Sequence, residues 1–127
     1  MYEKLDLFRT ASAMAQHAGR RQAVVARNIA NADTPDFQAR SIPAFQDIYR
    51  PGQGATLKTT RPQHLSTDVT AAVASLAKPT GEPSPNGNTV SLEEELLNAV
   101  AISREHNRAL AIYRHTMTVL RSALGRG

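Results

Sequence analysis

The sequence of 127 residues contains no cysteine and no tryptophan, and only 5% of its residues are aromatic. The absence of cysteine excludes disulfides and thiolate metal sites. No stretch approaches the run of about 18 apolar residues that spans a membrane, so we expect no membrane insertion. The N-terminus, with Glu3, Lys4 and Asp6, lacks the apolar core of a signal peptide. We therefore expect no cleaved secretory signal.

The scarcity of large side chains limits the core that this chain can build. Alanine supplies much of the 41% of residues that are apolar, and small side chains suit thin contacts between helices better than a bulky globular centre. The length fits one domain of modest size. We expect a single domain over residues 1–127 that is organised for contacts between helices.

The positive charge of the chain is small and dispersed. The formal net charge is +4, and the basic residues lie in segments that also carry acidic residues. Arg20 and Arg21 form one local basic pair. Proteins that bind nucleic acids usually concentrate basic residues on one face, with aromatic side chains nearby for stacking. We therefore expect no nucleic-acid partner.

The residue types that carry catalysis or bind metals are scattered along the chain. The four histidines are His17, His64, His106 and His115. No two of them have the spacing by which one helix pairs histidines on zinc. Neither a Ser/His/Asp set nor a pair of carboxylates stands out in the sequence. We expect no enzymatic activity, no metal and no cofactor.

Residues 3–31 have the pattern of one long amphipathic helix within an N-terminal segment, 1–32. Their apolar positions recur at steps of three and four, and most other positions hold good helix formers. Gly19 weakens this helix by about 1 kcal/mol relative to alanine. Turn-forming residues and Pro35 end it. The apolar face, which we assign to helix packing and assembly, consists of Leu7, Ala11, Met14, Ala18, Val25 and Ile29.

A second long helix is predicted within the C-terminal segment, 91–125. Its start is marked by Ser91 and Glu94, which fit a capping box, and Gly125 fits its C-terminal cap. Its apolar residues alternate at steps of four and three, which is the heptad pattern that presents one stripe to a partner helix. This seam consists of Leu92, Leu96, Ala99, Ser103, His106, Leu110, Tyr113, Met117, Leu120 and Leu124.

The middle segment, 33–90, differs from both ends because it holds all seven prolines. Within it, 57–60 is too short to be assigned as a strand. The stretch 78–88 has almost no apolar residue to offset its ordering entropy, and we expect a mobile loop there. One short helical face is predicted, with Pro43 in its first turn. That face consists of Ile42, Phe45, Ile48 and Tyr49.

These patterns predict an all-α fold in which the two long terminal helices pack as an antiparallel coiled-coil core domain, joined by an irregular segment rich in proline and glycine. Val24, Ile102 and Ile112 lie off the two seams, and we expect them to remain partly exposed in an isolated hairpin. Apolar faces that stay exposed on a soluble chain usually mark a surface for a partner.

The end of the first helix resembles the N-terminal signature of the bacterial flagellar axial proteins, the rod and hook family. Further matches lie at 61–65, 86–90 and 91–95, and the resemblance spans about residues 5–124, nearly the whole chain. Together with the short length, these matches indicate a protein of the rod. The motif residues are Asn28, Ile29, Ala30, Asn31, Ala32, Asp33, Thr34 and Pro35.

The resemblance implies a structural subunit of the flagellar basal body. Such proteins leave the cytoplasm through the flagellar type III export apparatus and assemble in the periplasm. Their terminal helices stack helically around a central channel, so that the rod serves as drive shaft and channel wall. The implied partners are copies of the chain, other rod proteins, and the membrane-ring and export-gate components at the base of the rod.

Two questions stay open in the sequence. The family usually has glycine after the proline of the motif, whereas this chain has Asp36, and we expect a positive backbone φ to be less favoured there. The polar motif residues fit helix capping and turns better than a metal or sugar site. The same amphipathic helices also fit another class of protein, a small coiled-coil adaptor or an export chaperone of the flagellar secretion system.

Overall fold

A computed structural model describes residues 2–49 and 78–125. Two long helices form most of this part of the chain. The elements are α1 (Tyr2–Ala30), β1 (Arg40–Ser41), α2 (Phe45–Ile48), β2 (Lys78–Pro79) and α3 (Leu92–Leu124). The stretch 57–60, the family match at 61–65 and His64 lie outside the described residues.

Helix α1 follows the predicted pattern closely. It contains 29 residues, so its length is about 43 Å at 1.5 Å per residue. Gly19 lies in its middle and is exposed, and the helix continues through it. Helix α1 ends in a turn in which the backbone N–H groups of Asn31 and Ala32 donate to the last helical carbonyls.

Helix α3 contains 33 residues, about 50 Å, and both of its caps lie where the sequence predicts them. Ser91 is the N-cap residue, and Gly125 closes the helix by donating its N–H to the carbonyl of Arg121. The predicted capping box is wrong in one respect, because the side chain of Ser91 makes no cap hydrogen bond. Ser91 and Glu94 are both exposed, so that water can satisfy the N–H groups of the first turn.

The two long helices pack side by side in opposite directions. Phe8 contacts Tyr113, and Arg21 contacts Glu105, so positions that rise along α1 meet positions that fall along α3. The core between them is small, since Ile102 and Asn28 are the largest fully buried side chains among the described residues. The predicted fold of two long helices packed against each other is therefore confirmed.

The prediction of an exclusively helical chain overlooked a short sheet. β1 and β2 pair antiparallel, with Arg40 opposite Pro79 and Ser41 opposite Lys78. The segments continue this pairing beyond the strands, because the N–H of Thr80 donates to the carbonyl of Ala39 at 2.9 Å. Two-residue strands carry too little pattern to be recognised in a sequence.

The stretch 78–88, predicted as a mobile loop, is attached at both ends. Residues 79–86 are exposed, as expected from their composition. One end pairs with β1, and near the other end the N–H of Asp36 donates to the carbonyl of Asn86. These attachments are hydrogen bonds between backbone groups, and the hydrophobicity of a sequence does not predict such bonds. The stretch thus follows a defined path against the residues that succeed α1.

Candidate assembly interface

The contact face of α3 is a stripe of residues repeated every seven positions. Glu95, Ile102, Ala109 and Thr116 are all at least 94% buried. On α1 the matching stripe is Ala11, Ala18 and Val25, also seven apart and buried. This spacing is the heptad repeat by which helices keep one face toward a partner. Most of these side chains are small, which allows the two backbones to approach closely.

The α3 stripe lies one residue away from one half of the predicted seam. We expected Ile102 to stay partly exposed, and this prediction is wrong, because Ile102 is only 1% exposed and packs against Ala18 and Val25. The reason is that the side chains of the α1 stripe are small. Ala18 of this stripe leaves room for the branched side chain of Ile102. Val24 and Ile112 are partly exposed, as predicted.

The predicted packing residues of α1 lie mostly on its inner side. Ala11, Ala18 and Val25 are buried, Met14 and Ile29 are half-buried, and Leu7 is 44% exposed.

The predicted seam of α3 divides into inner and outer positions. Five of its residues are half-buried: Ala99, His106, Leu110, Met117 and Leu120. Ser103 is exposed. The remaining four are exposed by 40% or more: Leu92, Leu96, Tyr113 and Leu124.

The first motif asparagine joins α1 to β1. Asn28 is 1% exposed, and its amide nitrogen donates to the carbonyl of Arg40 at 2.7 Å. In return the N–H of Arg40 donates to the Asn28 amide oxygen at 3.2 Å. The Asn28 amide therefore bonds both the N–H and the C=O of Arg40, as the backbone of a neighbouring strand would. Only an amide offers a donor and an acceptor in this arrangement, so the position requires asparagine or a close mimic.

The remaining polar motif residues form the turn after α1. Asn31 donates from its amide nitrogen to the carbonyl of Arg27, and Thr34 donates its hydroxyl to the Asn31 amide oxygen. Asp33 and Pro35 are exposed in the same turn. These contacts agree with capping and turning of the helix.

A second asparagine, outside the motif, completes this turn. Asn88 is 2% exposed, and its amide nitrogen lies 2.8–2.9 Å from the carbonyls of Asn31, Ala32 and Thr34. Its amide oxygen accepts from the N–H of Val90. The residues just before α3 therefore cap the end of α1, which fixes the two helix ends relative to each other. The sequence resemblance marked 86–90 but gave Asn88 no role.

Asp36 adopts the left-handed backbone conformation, with φ of 59°. The prediction that aspartate disfavours a positive φ there is wrong. The turn requires this φ, because the N–H of Asp36 must reach the carbonyl of Asn86 across the adjoining loop. A Cβ added at Gly87 would lie 2.2 Å from the Asp36 carboxylate oxygen, so Asp36 and Gly87 are closely apposed. Aspartate is one of the few residues besides glycine that tolerate this region.

Four buried or half-buried polar side chains along the hairpin were not predicted. His17 donates from Nε2 to the carbonyl of Pro43 at 2.8 Å, and its ring contacts Phe45 of α2. Arg21 and Glu105 form an ion pair at 2.6 Å, with side chains 17% and 22% exposed. Glu95 is buried within the α3 stripe. The heptad position of Glu95, seven residues before Ile102, was the available signal for its burial.

The outer side of α3 carries large apolar residues that are exposed in the described part of the chain. Five exposed residues in its first three turns form a surface that we call the α3 patch: Leu92, Glu93, Leu96, Leu97 and Val100. Leu97 is 72% exposed, and the other three apolar side chains are about half exposed. Contiguous exposed apolar residues on a soluble protein mark an interaction surface.

A further apolar groove lies at the opposite end of the hairpin. Leu5 and Phe8 of α1 line it together with Tyr113, Met117 and Leu120 of the predicted seam. The groove is open to solvent along its length. The predicted seam thus contributes to outer surfaces at both ends of α3 as well as to the half-buried margin of the helix pair.

Among residues 2–49 and 78–125, no helix is long and apolar enough to cross a membrane. The same residues contain no cluster of three histidine, aspartate or glutamate side chains suited to a metal ion.

Comparison with known proteins places these features in one family. A family model described as "Flagella basal body rod protein" matches residues 8–38, which include most of α1 and the whole motif. Three proteins named flagellar basal body rod protein FlgB are similar to most of the chain. The protein from Agrobacterium fabrum is 31% identical over 93% of both chains.

The two other relatives agree with the first. The protein from Yersinia enterocolitica is 31% identical over 84% of this chain and 85% of its own length. The one from Escherichia coli K12 is 34% identical over 72% of both. Similarity of this extent at about 30% identity shows that the chain belongs to the flagellar basal-body rod proteins of the FlgB type.

Proposed function

We propose that this chain is a structural subunit of the flagellar basal-body rod and that it polymerises through the outer faces of its helical hairpin. The observation that carries the proposal is the distribution of side chains on α3. Apart from Ile102, the residues on its inner side are small or polar, such as Ala109 and Thr116, whereas Leu96 and Leu97 lie outside. In a protein that functions as a monomer, contiguous large aliphatic side chains are expected to be buried, so their exposure here indicates an interaction surface.

In the assembled rod, the hairpins of neighbouring subunits would form a continuous coiled-coil core around the export channel. The half-buried seam residues Leu110 and Leu120 lie at the margins of the helix pair, where neighbouring helices can cover them. Isolated long helices gain most of their stability from such burial. Repeating one heterologous contact between identical subunits generates a helical polymer.

The partners that we propose are those of a subunit near the base of the rod. They are further copies of the chain, other rod proteins, and the membrane-ring and export-gate components. The chain would reach the periplasm through the flagellar export apparatus and remain in the basal body. Its role is mechanical, as part of the drive shaft and of the channel wall, and motility depends on it. No catalytic step and no cofactor enters this proposal.

The test replaces Leu110 or Leu120 with aspartate in the bacterium that carries the gene. Each change introduces a charge at a seam position where a buried leucine is expected, and forfeits about 2–5 kcal/mol of packing at every copy of the subunit. We expect basal bodies that stop at the membrane ring and lack a rod in electron micrographs. His115→Ala is the matched control, because His115 is exposed on the same helix.

The same experiment separates a rod subunit from an adaptor or an export chaperone. An adaptor would lose a binding activity in the cytoplasm, while the chain would be missing from basal bodies even in unmodified cells. Normal rods in both aspartate variants would refute the proposed role of α3 as the assembly helix.

A further inference from the structure

A basic groove lies on the side of α1 that carries Arg20 and Arg27. It is a cavity of about 770 Å³ between α1 and the residues that follow it. Its apolar lining includes Val24, Phe37 and Ile42, and three arginines lie around it, Arg20, Arg27 and Arg40. Asp36 is the acidic residue of the lining.

Within residues 2–49 and 78–125, none of the three groove arginines has an acidic partner in an ion pair. The ion pair in this part of the chain joins Arg21 to Glu105. The groove therefore combines an apolar floor with an excess of unneutralised positive charge. A surface of this kind fits an apolar segment that carries acidic residues, because such a segment would bury apolar area and neutralise the arginines together.

The α3 patch has this complementary chemistry. Its leucines and Val100 are 49–72% exposed, and Glu93 and Glu94 in the first turn of α3 are exposed as well. Acidic residues are also favoured at this place by the helix dipole, so they occur here without cost to the helix. The patch therefore presents large aliphatic side chains beside negative charge.

The arginines of α1 at the groove and the most exposed residue of the patch lie on opposite sides of the hairpin in one molecule. At about 100° per residue, Arg27 lies about 160° around α1 from Val25, which faces α3. By the same geometry Leu97 lies about 160° around α3 from Glu95, which is buried toward α1. One subunit can therefore engage a neighbour through its groove and another neighbour through its patch at the same time.

We infer that the α3 patch of one copy docks in the basic groove of the next copy. This inference rests on the proposed function and specifies which two faces meet in the polymer. Because the two faces differ, the contact is heterologous and propagates from subunit to subunit, as an open helical assembly requires.

Site-directed cross-linking tests the contact, since the chain has no cysteine of its own. Gln38→Cys places a thiol at the lining of the groove, and Leu97→Cys places one in the patch. In basal bodies treated with a short bismaleimide, the double variant is expected to form a ladder of covalent oligomers. Each single variant is expected to form none. The matched control pairs Gln38→Cys with His115→Cys, which lies toward the other end of α3.

A ladder in the Gln38/Leu97 pair and none in the control supports the contact. Rods that contain the double variant and give no ladder would overturn the contact and leave the proposed function intact. If the unmodified chain were missing from basal bodies, the proposed function itself would fail. The two failures are therefore distinguishable.

Charge reversal provides a second measurement should the double-cysteine chain not assemble. Arg27→Glu and Glu93→Arg are each expected to lower the amount of chain in basal bodies several-fold, because like charges then face each other across the contact. The two reversals combined in one chain are expected to restore much of that loss. Absence of any restoration, with helicity of the purified chain unchanged, would overturn the inference.

Discussion

The inner stripe and the outer patch of α3 differ in how many large aliphatic side chains each contains. The stripe contains one large aliphatic side chain, Ile102, beside Glu95, Ala109 and Thr116, whereas the patch contains Leu92, Leu96, Leu97 and Val100. In a monomeric protein the aliphatic side chains would be expected inside and the polar ones outside. We infer from this difference that the internal contact of the hairpin is thin and that the larger apolar area of α3 serves contacts with neighbours.

The largest expected effect comes from breaking the inner side of this comparison. Ile102→Ala removes the largest aliphatic side chain of the small core and is expected to lower the free energy of unfolding by about 2–5 kcal/mol. Leu97→Ala removes a similar side chain from the patch, and because Leu97 is 72% exposed it should change the stability of the purified monomer very little.

Urea denaturation of the two purified variants, followed by circular dichroism, measures this contrast. Equal losses of stability would show that Leu97 is covered within the monomer and would remove the distinction between stripe and patch.

A smaller effect is expected where polar groups, instead of apolar ones, hold the hairpin. Asn88→Ala leaves three carbonyls at the end of α1 without their amide donor and should destabilise the chain by about 1–3 kcal/mol. Hydrogen exchange is expected to accelerate at the end of α1 and at the start of α3. Asn107→Ala, at an exposed position on α3, is the control and should leave exchange unchanged.

The smallest effect is expected at the left-handed residue of the motif turn. Asp36→Gly removes the steric penalty of a positive φ, which stabilises the folded chain. The greater conformational entropy of glycine in the unfolded chain offsets part of this gain. We expect a gain in stability of about 0.5 kcal/mol, seen as a small rise in the midpoint of thermal unfolding. A clear loss would mean that the Asp36 carboxylate contributes a contact that outweighs the strain.

The sequence predicted some of these features and missed others for identifiable reasons. In α1 only one set of positions is apolar at helical spacing, so the face containing Ala18 and Val25 was recognised. In α3 two stripes, one residue apart, are both plausible. Hydrophobicity favours the stripe containing Leu96 and Leu110, whereas the small residues of α1 select the one containing Ile102.

The tertiary roles of the asparagines also lay beyond sequence reasoning. Asn28 and Asn88 act on backbone groups of other segments, at separations of 12 residues for Asn28 and more than 50 for Asn88. Composition and periodicity report which residues are polar, but they do not report which carbonyl a given amide reaches. The resemblance marked both regions, and the geometry explains why amides are needed there.

The central claim is that the leucines on the outside of α3 serve assembly and not the fold of the subunit. Leu97→Asp tests it most directly, by immunoblotting the chain in whole cells and in purified basal bodies from the same culture. The expected result is a normal cellular amount of chain, unchanged helicity after purification, and strong depletion from basal bodies. Incorporation of the variant at the unmodified level, with normal rods, would contradict the claim.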